Sequence, residues 1–217
     1  MEKNTLVNAT VKYVKQELKH AEGGHDWWHI YRVWKVASHL AWQENVDLVV
    51  VELGALLHDI ADSKFHDGDE SIGPEKARLF LNKIGLDEHR TDHIIKIIEN
   101  ISFKGGNNSS TFHSIELAVV QDADRLDAMG AIGIARAFNY GGFKNRSLYD
   151  PEIKPNLQMT KEEYKTSTAP TINHFYEKLL LLKDRMNTTA GRKIAEERHK
   201  FMAQYLEEFY KEWEGEL

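Results

Sequence analysis

Cysteine is missing from this chain of 217 residues, and only four prolines occur. The absence of cysteine excludes disulfides, thiolate zinc sites and cysteine nucleophiles, and it fits a reducing cytosol. No apolar run is long enough to cross a bilayer, and the N-terminus is too polar for a signal peptide, so we expect a cytoplasmic protein with no membrane partner. The net charge is −6 and the lysines and arginines form no cluster, which argues against a nucleic acid polymer as partner.

Apolar residues recur at helical spacing along most of the chain, and no alternating runs separated by turns occur. The segment LVVVELGALL, residues 48–57, is apolar on nearly every face and is therefore ambiguous between a buried strand and a helix. We favour a central helix because the segment exceeds the usual length of a strand. The pattern predicts an all-α fold with a single domain over residues 1–217. Its core covers about residues 24–140, and C-terminal helices at residues 171–215 pack on that core.

Two further features of the helical pattern can be tested directly. We predict one long helix from about His113 to Phe138, followed by a loop over residues 139–170 that carries three of the four prolines. Loops of this length tend to be functional or mobile. The tryptophans around the second helix, including Trp28 and Trp42, are assigned to the core, because aromatic residues on an amphipathic helix are more often buried than stacked on a base.

Histidine is followed by aspartate at residues 25–26, 58–59 and 66–67. The third pair lies in a polar stretch broken by glycine, and Asp26 of the first pair is placed to cap a helix. His58-Asp59 differs, because it directly follows the most apolar helix. A carboxylate there is costly unless it is paired, hydrogen-bonded or bound to metal. This pair alone leaves a metal site and a buried His-Asp hydrogen bond equally open.

Additional candidate ligands favour the metal. His29 lies at the start of the second helix, and Asp122, Asp124 and Asp127 lie on a later helix rich in small residues. Nitrogen and oxygen ligands without sulfur suit one divalent cation, Mn²⁺, Co²⁺, Ni²⁺, Fe²⁺, Zn²⁺ or Mg²⁺, although imidazole disfavours Mg²⁺. Asp122 and Asp124 differ by a rotation of about 200°, so only one of them can face the metal. The residues alone do not decide which.

The order of these residues resembles a known family. His29, then His58-Asp59, then Asp124 within ADRL are similar to the H…HD…D motif of the HD-domain metal-dependent phosphohydrolases. The flanking stretches HDWWHIYRV, LLHDIADSKFH, QDADRLDAMGAIGIAR and NHFYEKLLLLKDRMNT resemble one bacterial branch, from about Gly24 to the last helix. The resemblance implies an HD-domain helical bundle with one or two divalent cations that hydrolyses phosphate esters or anhydrides, often in nucleotides.

Carried over position by position, the resemblance gives four metal ligands: His29, His58, Asp59 and Asp124. Asp124 is preferred to Asp122 because the family places its last ligand in an Ala-Asp-x-Leu context. His25 is the rival of His29, one turn away, but its neighbours do not match the family position. Branches that hold a second metal commonly carry an adjacent His-His pair. None occurs here, so we expect one cation and interpret His89 and His93 as surface residues.

Four other residues complete the predicted site. Asp62 follows Asp59 by three residues, and related HD proteins carry an acidic residue there, which implies a general acid/base role. Lys64, Arg32 and Arg125 are candidate phosphate partners, since arginine suits bidentate contact and lysine acts as a point charge. For Arg32, neutralisation of the site's own carboxylates is an equally good interpretation.

The leading hypothesis is a divalent-metal phosphohydrolase acting on a small nucleotide, with cleavage of a (deoxy)nucleoside triphosphate to monophosphate and pyrophosphate. That bond preference rests on the resemblance. One alternative is a non-catalytic nucleotide-binding or regulatory module with a structural metal. Another is a helical scaffold with a buried His-Asp network and no metal. The sequence leaves a homodimer open.

Overall fold

The fold is helical throughout the part of the chain that the computed structural model describes, namely residues 2–19, 26–61, 69, 71–101, 112–160, 163 and 166–216. No β-strand occurs in those residues, and the predicted all-α class is confirmed. In chain order the helices are α1 Lys3–Glu17, α2 Trp27–Ala41, α3 Leu48–Leu57, α4 Ile72–Lys83, α5 Glu88–Asn100, α6 Ile115–Asp127, α7 Gly130–Phe143, α8 Thr171–Glu177, the 3₁₀ helix Leu179–Arg185 and α9 Thr189–Glu214.

Backbone contacts divide the chain into two compact units, Met1–Asp124 and Arg125–Leu217. The arrangement of residues 1–217 as one domain therefore stays a prediction. No helix in the described part of the chain is both long and apolar enough to cross a membrane.

Helix α3 is the centre of the first unit and packs against α1, α2 and α5. The Asp47 carboxylate begins this helix by accepting hydrogen bonds from the backbone N–H groups of Val49 and Val50. Every residue from Val50 to Leu57 is buried. The helical interpretation of residues 48–57 is thus confirmed, and the all-round apolar pattern reflects a helix that is covered on every side.

The expectation that the tryptophans lie in the core is wrong for two of them. The Trp28 side chain is 61% exposed and that of Trp42 is 80% exposed. Trp28 lies about 160° around the axis of α2 from the buried Ile30, on the side away from the core. Trp42 follows the last residue of α2, where the chain leaves the helix.

The predicted long helix from His113 to Phe138 is also wrong, because the chain breaks between α6 and α7. Met129 is extended and Gly130 has φ +68°, a left-handed conformation that glycine adopts without strain. The Arg198 guanidinium and the Met129 backbone N–H both donate to the Leu126 carbonyl, so this end of α6 is satisfied without a continuing helix. Helix α7 then continues to Phe143, so the predicted loop starts later than residue 139.

In the second unit, α9 packs against α7 and the 3₁₀ helix, and α8 packs against the same two elements. Two backbone hydrogen bonds attach the preceding loop to α8: Thr171 N–H to the Ser147 carbonyl at 2.9 Å and Ile172 N–H to the Leu148 carbonyl at 3.0 Å. The loop between α7 and α8 is therefore tied to the start of α8.

Candidate metal centre

Three of the predicted ligands lie together in the first unit. The ligand atoms of His29, His58 and Asp59 all lie within 4.8 Å of one another. His29 is in the first turn of α2, His58 is the C-cap of α3, and Asp59 is in the turn that follows. Both histidines are buried, and Asp59 is half-buried. The two rings meet edge to face, with centroids 5.4 Å apart.

Local hydrogen bonds anchor the backbone of His29 and orient the imidazole of His58. The backbone N–H of His29 donates to the Asp26 carboxylate at 2.9 Å, which anchors the first turn of α2. His58 Nδ1 lies 2.8 Å from the Ala55 carbonyl oxygen. A carbonyl only accepts, so in the neutral ring Nδ1 carries the hydrogen and Nε2 keeps its lone pair for a metal. The sequence did not point to Ala55, since its contribution is a backbone atom, and only the spacing of three residues could have suggested it.

Helix α6 brings Asp124 to the same place. Its Oδ1 lies 3.5 Å from His29 Nε2 and 3.9 Å from His58 Nε2. Bonds from zinc to nitrogen or oxygen are about 2.0–2.2 Å, so two ligand atoms of one such ion lie up to about 4.3 Å apart. Both separations fit a shared ion. The Asp122 side chain, rotated to another side of α6, is fully buried, whereas that of Asp124 is 40% exposed. The geometry therefore favours Asp124 where the sequence left the choice open.

This choice predicts different effects for two conservative substitutions on α6. Asp124→Asn should weaken metal binding by at least about 10- to 100-fold, because outer-shell partners of metal ligands already contribute that much and Asp124 is a proposed direct ligand. Asp122→Asn should leave metal affinity unchanged and lower only the thermal stability, since Asp122 is enclosed in the protein. Titration of the metal-free protein with Mn²⁺ or Zn²⁺ measures both. Equal loss of affinity in the two variants would contradict the assignment.

Of the remaining predicted site residues, the structure describes Arg32 and Arg125. Asp62, Lys64 and His25 lie outside the described residues. Arg32 is half-buried one turn after His29. Arg125 donates from Nη1 to the Arg185 carbonyl at 2.7 Å, so it contacts the backbone at the end of the 3₁₀ helix. Phosphate binding by these cations stays a prediction.

Of the two histidines interpreted as surface residues, only His89 is exposed. His93 is half-buried, with Nε2 2.9 Å from the Ser114 hydroxyl and 3.5 Å from the Glu116 carboxylate. Glu116 also accepts from the Asp47 backbone N–H at 3.0 Å. His93 thus belongs to a polar network at the starts of α3 and α6, which explains its burial without a second metal.

The donor set fits a divalent cation. Two imidazole nitrogens and two carboxylates without sulfur are ligands for a first-row divalent ion. His58 and Asp59 directly follow the buried helix α3, where an unpaired carboxylate is costly. His29, His58 and Asp59 could hold such an ion, and Asp124 lies within reach of both imidazoles.

Comparison with known proteins identifies the family. Residues 27–129 match the HD domain. The chain is 43% identical to an HD-superfamily hydrolase from Bacillus thuringiensis of known crystal structure, with a TM-score of 0.80 and coverage of 99% of this chain and 100% of that one. The chain belongs to the HD-domain superfamily. This family is one of hydrolases that bind a divalent metal. All four candidate ligands lie within the matched residues 27–129.

A further relative of this HD-domain protein is the uncharacterized protein YpgQ of Bacillus subtilis. It is 38% identical over 211 residues, which cover 94% of this chain and 91% of YpgQ. A crystal structure of YpgQ in complex with ADP matches with a TM-score of 0.79 at 37% identity, over 98% of this chain and 97% of that one.

Proposed function

We propose that this protein is a divalent-metal-dependent phosphohydrolase that acts on nucleotides and cleaves (deoxy)nucleoside triphosphates to monophosphate and pyrophosphate. The observation that carries the proposal is the convergence of two buried imidazoles and two carboxylates from α2, α3 and α6. Membership of a hydrolase family supports the hydrolytic step. The complex of the related YpgQ with ADP supports a nucleotide as the substrate class.

In this proposal His29, His58, Asp59 and Asp124 hold the cation. When bound, a divalent ion supplies positive charge to the phosphate oxygens and lowers the pKa of a water molecule to about 7. The protein's own task is then mainly to position the phosphate and stabilise its charge, which is the larger part of catalysis in phosphoryl transfer.

Other side chains divide the remaining tasks. Asp62 acts as general acid/base for the attacking water or the leaving group. Arg32 follows His29 by one helical turn, which places a guanidinium on the same side of α2 as a ligand and suits bidentate contact with a phosphate. Lys64 and Arg125 supply further positive charge. A triphosphate carries several negative charges, and these side chains neutralise the part that the metal does not.

The test is a screen of nucleoside mono-, di- and triphosphates with Mn²⁺, Co²⁺, Ni²⁺ and Mg²⁺, with products separated by chromatography. The expected result is metal-dependent release of pyrophosphate and a nucleoside monophosphate in equal amounts. Release of inorganic phosphate alone would contradict the proposed bond. Stabilisation of the protein by nucleotides without turnover, across all four metals, would instead support the non-catalytic nucleotide-binding module.

A further inference from the structure

A cavity of about 260 Å³ lies within the second unit, among the loop before α8, α8 itself and α9. It shares no residue with the candidate metal centre. Its walls include three tyrosines, Tyr149, Tyr176 and Tyr210, together with Lys154, Asn173 and two prolines. The volume lies just below the range of about 300–1,000 Å³ that is usual for drug-sized ligands, so the occupant is a small molecule.

Several hydrogen-bonding groups line this cavity. The Tyr210 and Tyr176 hydroxyls are hydrogen-bonded to each other, and the Tyr149 hydroxyl lies close enough to influence Tyr210. Burial, and then the hydrogen bond to Tyr176, raise the pKa of Tyr210. Each phenol has a single O–H, so one hydroxyl of this pair donates to the other and one hydrogen stays available to a ligand. Among the described residues that line the cavity, Lys154 is the one with a charge, and none is a carboxylate. This chemistry favours an anionic ligand group.

Aromatic and proline residues also line the cavity. Tyr149 is held by edge-to-face contacts with Phe209, Tyr210 and Trp213, with ring centroids 6.0, 5.3 and 5.1 Å away. Pro151 and Pro155 add flat, apolar surfaces to the same lining. Aromatic and proline surfaces side by side favour a planar ring as the rest of the ligand.

The walls are fixed before any ligand binds. The buried Asn173 on α8 donates to the Ile153 carbonyl at 2.9 Å, which holds the middle of the loop. The Asn156 backbone N–H donates to the Glu177 carboxylate at 3.0 Å, which attaches the loop to the end of α8. A cavity that is already formed spares a ligand the entropy of ordering the loop, which strengthens binding.

We propose that this cavity binds a planar aromatic molecule that carries a phosphate, the chemical class of the nucleoside monophosphates. The phosphate contacts Lys154, the hydroxyl pair of Tyr176 and Tyr210, and the Tyr149 hydroxyl, and the ring lies against the tyrosine and proline surfaces. The proposal concerns a binding site only and does not depend on the hydrolytic reaction.

Isothermal titration of the full chain with AMP, in the presence of a chelator, tests it. We expect one AMP per chain. Lys154→Gln and Tyr210→Phe should each raise the Kd at least about tenfold, because each removes a hydrogen bond or charge from the phosphate. Lys144→Gln, which changes another exposed lysine at the start of the same loop, should leave the Kd unchanged. Adenosine and ribose 5-phosphate should each bind at least tenfold more weakly than AMP, since each keeps only half of the recognised groups.

The proposed site would be overturned if AMP did not bind at millimolar concentration, or if ribose 5-phosphate bound as tightly as AMP. It would also be overturned if the two lysine variants and the tyrosine variant all bound AMP with the same Kd. Loss of AMP binding in Asp59→Ala would place AMP at the metal centre and overturn it as well. Tyr210→Phe keeps the ring and its packing. Lys154→Gln alters an exposed residue, so the test holds even if the tyrosine variant is destabilised.

Discussion

Replacing Asp59 by alanine should remove bound metal and lower metal-dependent phosphate or pyrophosphate release by about 10³-fold or more. Asp59 follows the apolar helix α3, and its carboxylate lies with the two imidazole nitrogens within one ion's reach. Metal ions contribute several kcal/mol to charge stabilisation, and each 1.4 kcal/mol is about tenfold in rate, so loss of the ion costs about three orders of magnitude. Metal content by elemental analysis and product release by chromatography measure the two effects separately.

Asp92→Ala is a suitable control for Asp59→Ala. Asp92 is also a half-buried aspartate of the first unit, and its carboxylate pairs with Arg78 at 2.7 Å on the surface formed by α4 and α5. Removal of that exposed ion pair should cost at most about 1 kcal/mol of stability and leave metal content and activity intact. Full activity of Asp59→Ala, or of the wild type after exhaustive chelation, would show that the reaction does not use this site. Wild-type protein purified without metal and unable to bind any would favour the helical scaffold.

The sequence predicted the helices better than the places where they end. Residues 48–57 could be assigned to a helix because length separates a helix from a strand even when every face is apolar. The break between α6 and α7 was missed because its cause is a single left-handed glycine, Gly130, among residues that continue the helical spacing on both sides. A glycine at helical spacing carries no sign of its φ angle in the sequence, so the stop became visible only in the backbone.

For the candidate site too, the sequence predicted some features and the structure alone revealed others. The order and neighbours of His29, His58 and Asp59 were enough to nominate them, since a motif records which residue types occur at which spacing. The resemblance preferred Asp124 to Asp122, but the residues alone could not decide, because the choice depends on which side of α6 turns toward His29 and His58. The tautomer of His58 depended on a backbone carbonyl, which no side-chain pattern reveals.

The turn between α6 and α7 leads to a prediction about stability. Gly133→Ala should lower the free energy of unfolding by about 3 kcal/mol. A Cβ at residue 133 would overlap the carbonyl group of Ala128, which lies in the turn and is part of the backbone. That backbone is held by hydrogen bonds from the Ala128 and Met129 N–H groups to the carbonyls of Arg125 and Leu126, so it cannot move aside cheaply. Urea unfolding followed by circular dichroism measures the change.

Gly142→Ala makes the same chemical change on the same helix and should act in the opposite direction. A Cβ at residue 142 meets no atom within 4 Å, and the residue is exposed in the last turn of α7. Alanine is favoured over glycine in a helix by up to about 1 kcal/mol, so this variant should be as stable as the wild type or more stable by about 0.5 kcal/mol. The pair separates helix propensity from steric overlap, because propensity alone predicts a gain at both positions. Stabilisation by Gly133→Ala would mean that the turn between α6 and α7 can move aside for a methyl group. The inference that this turn is tightly packed would then be wrong.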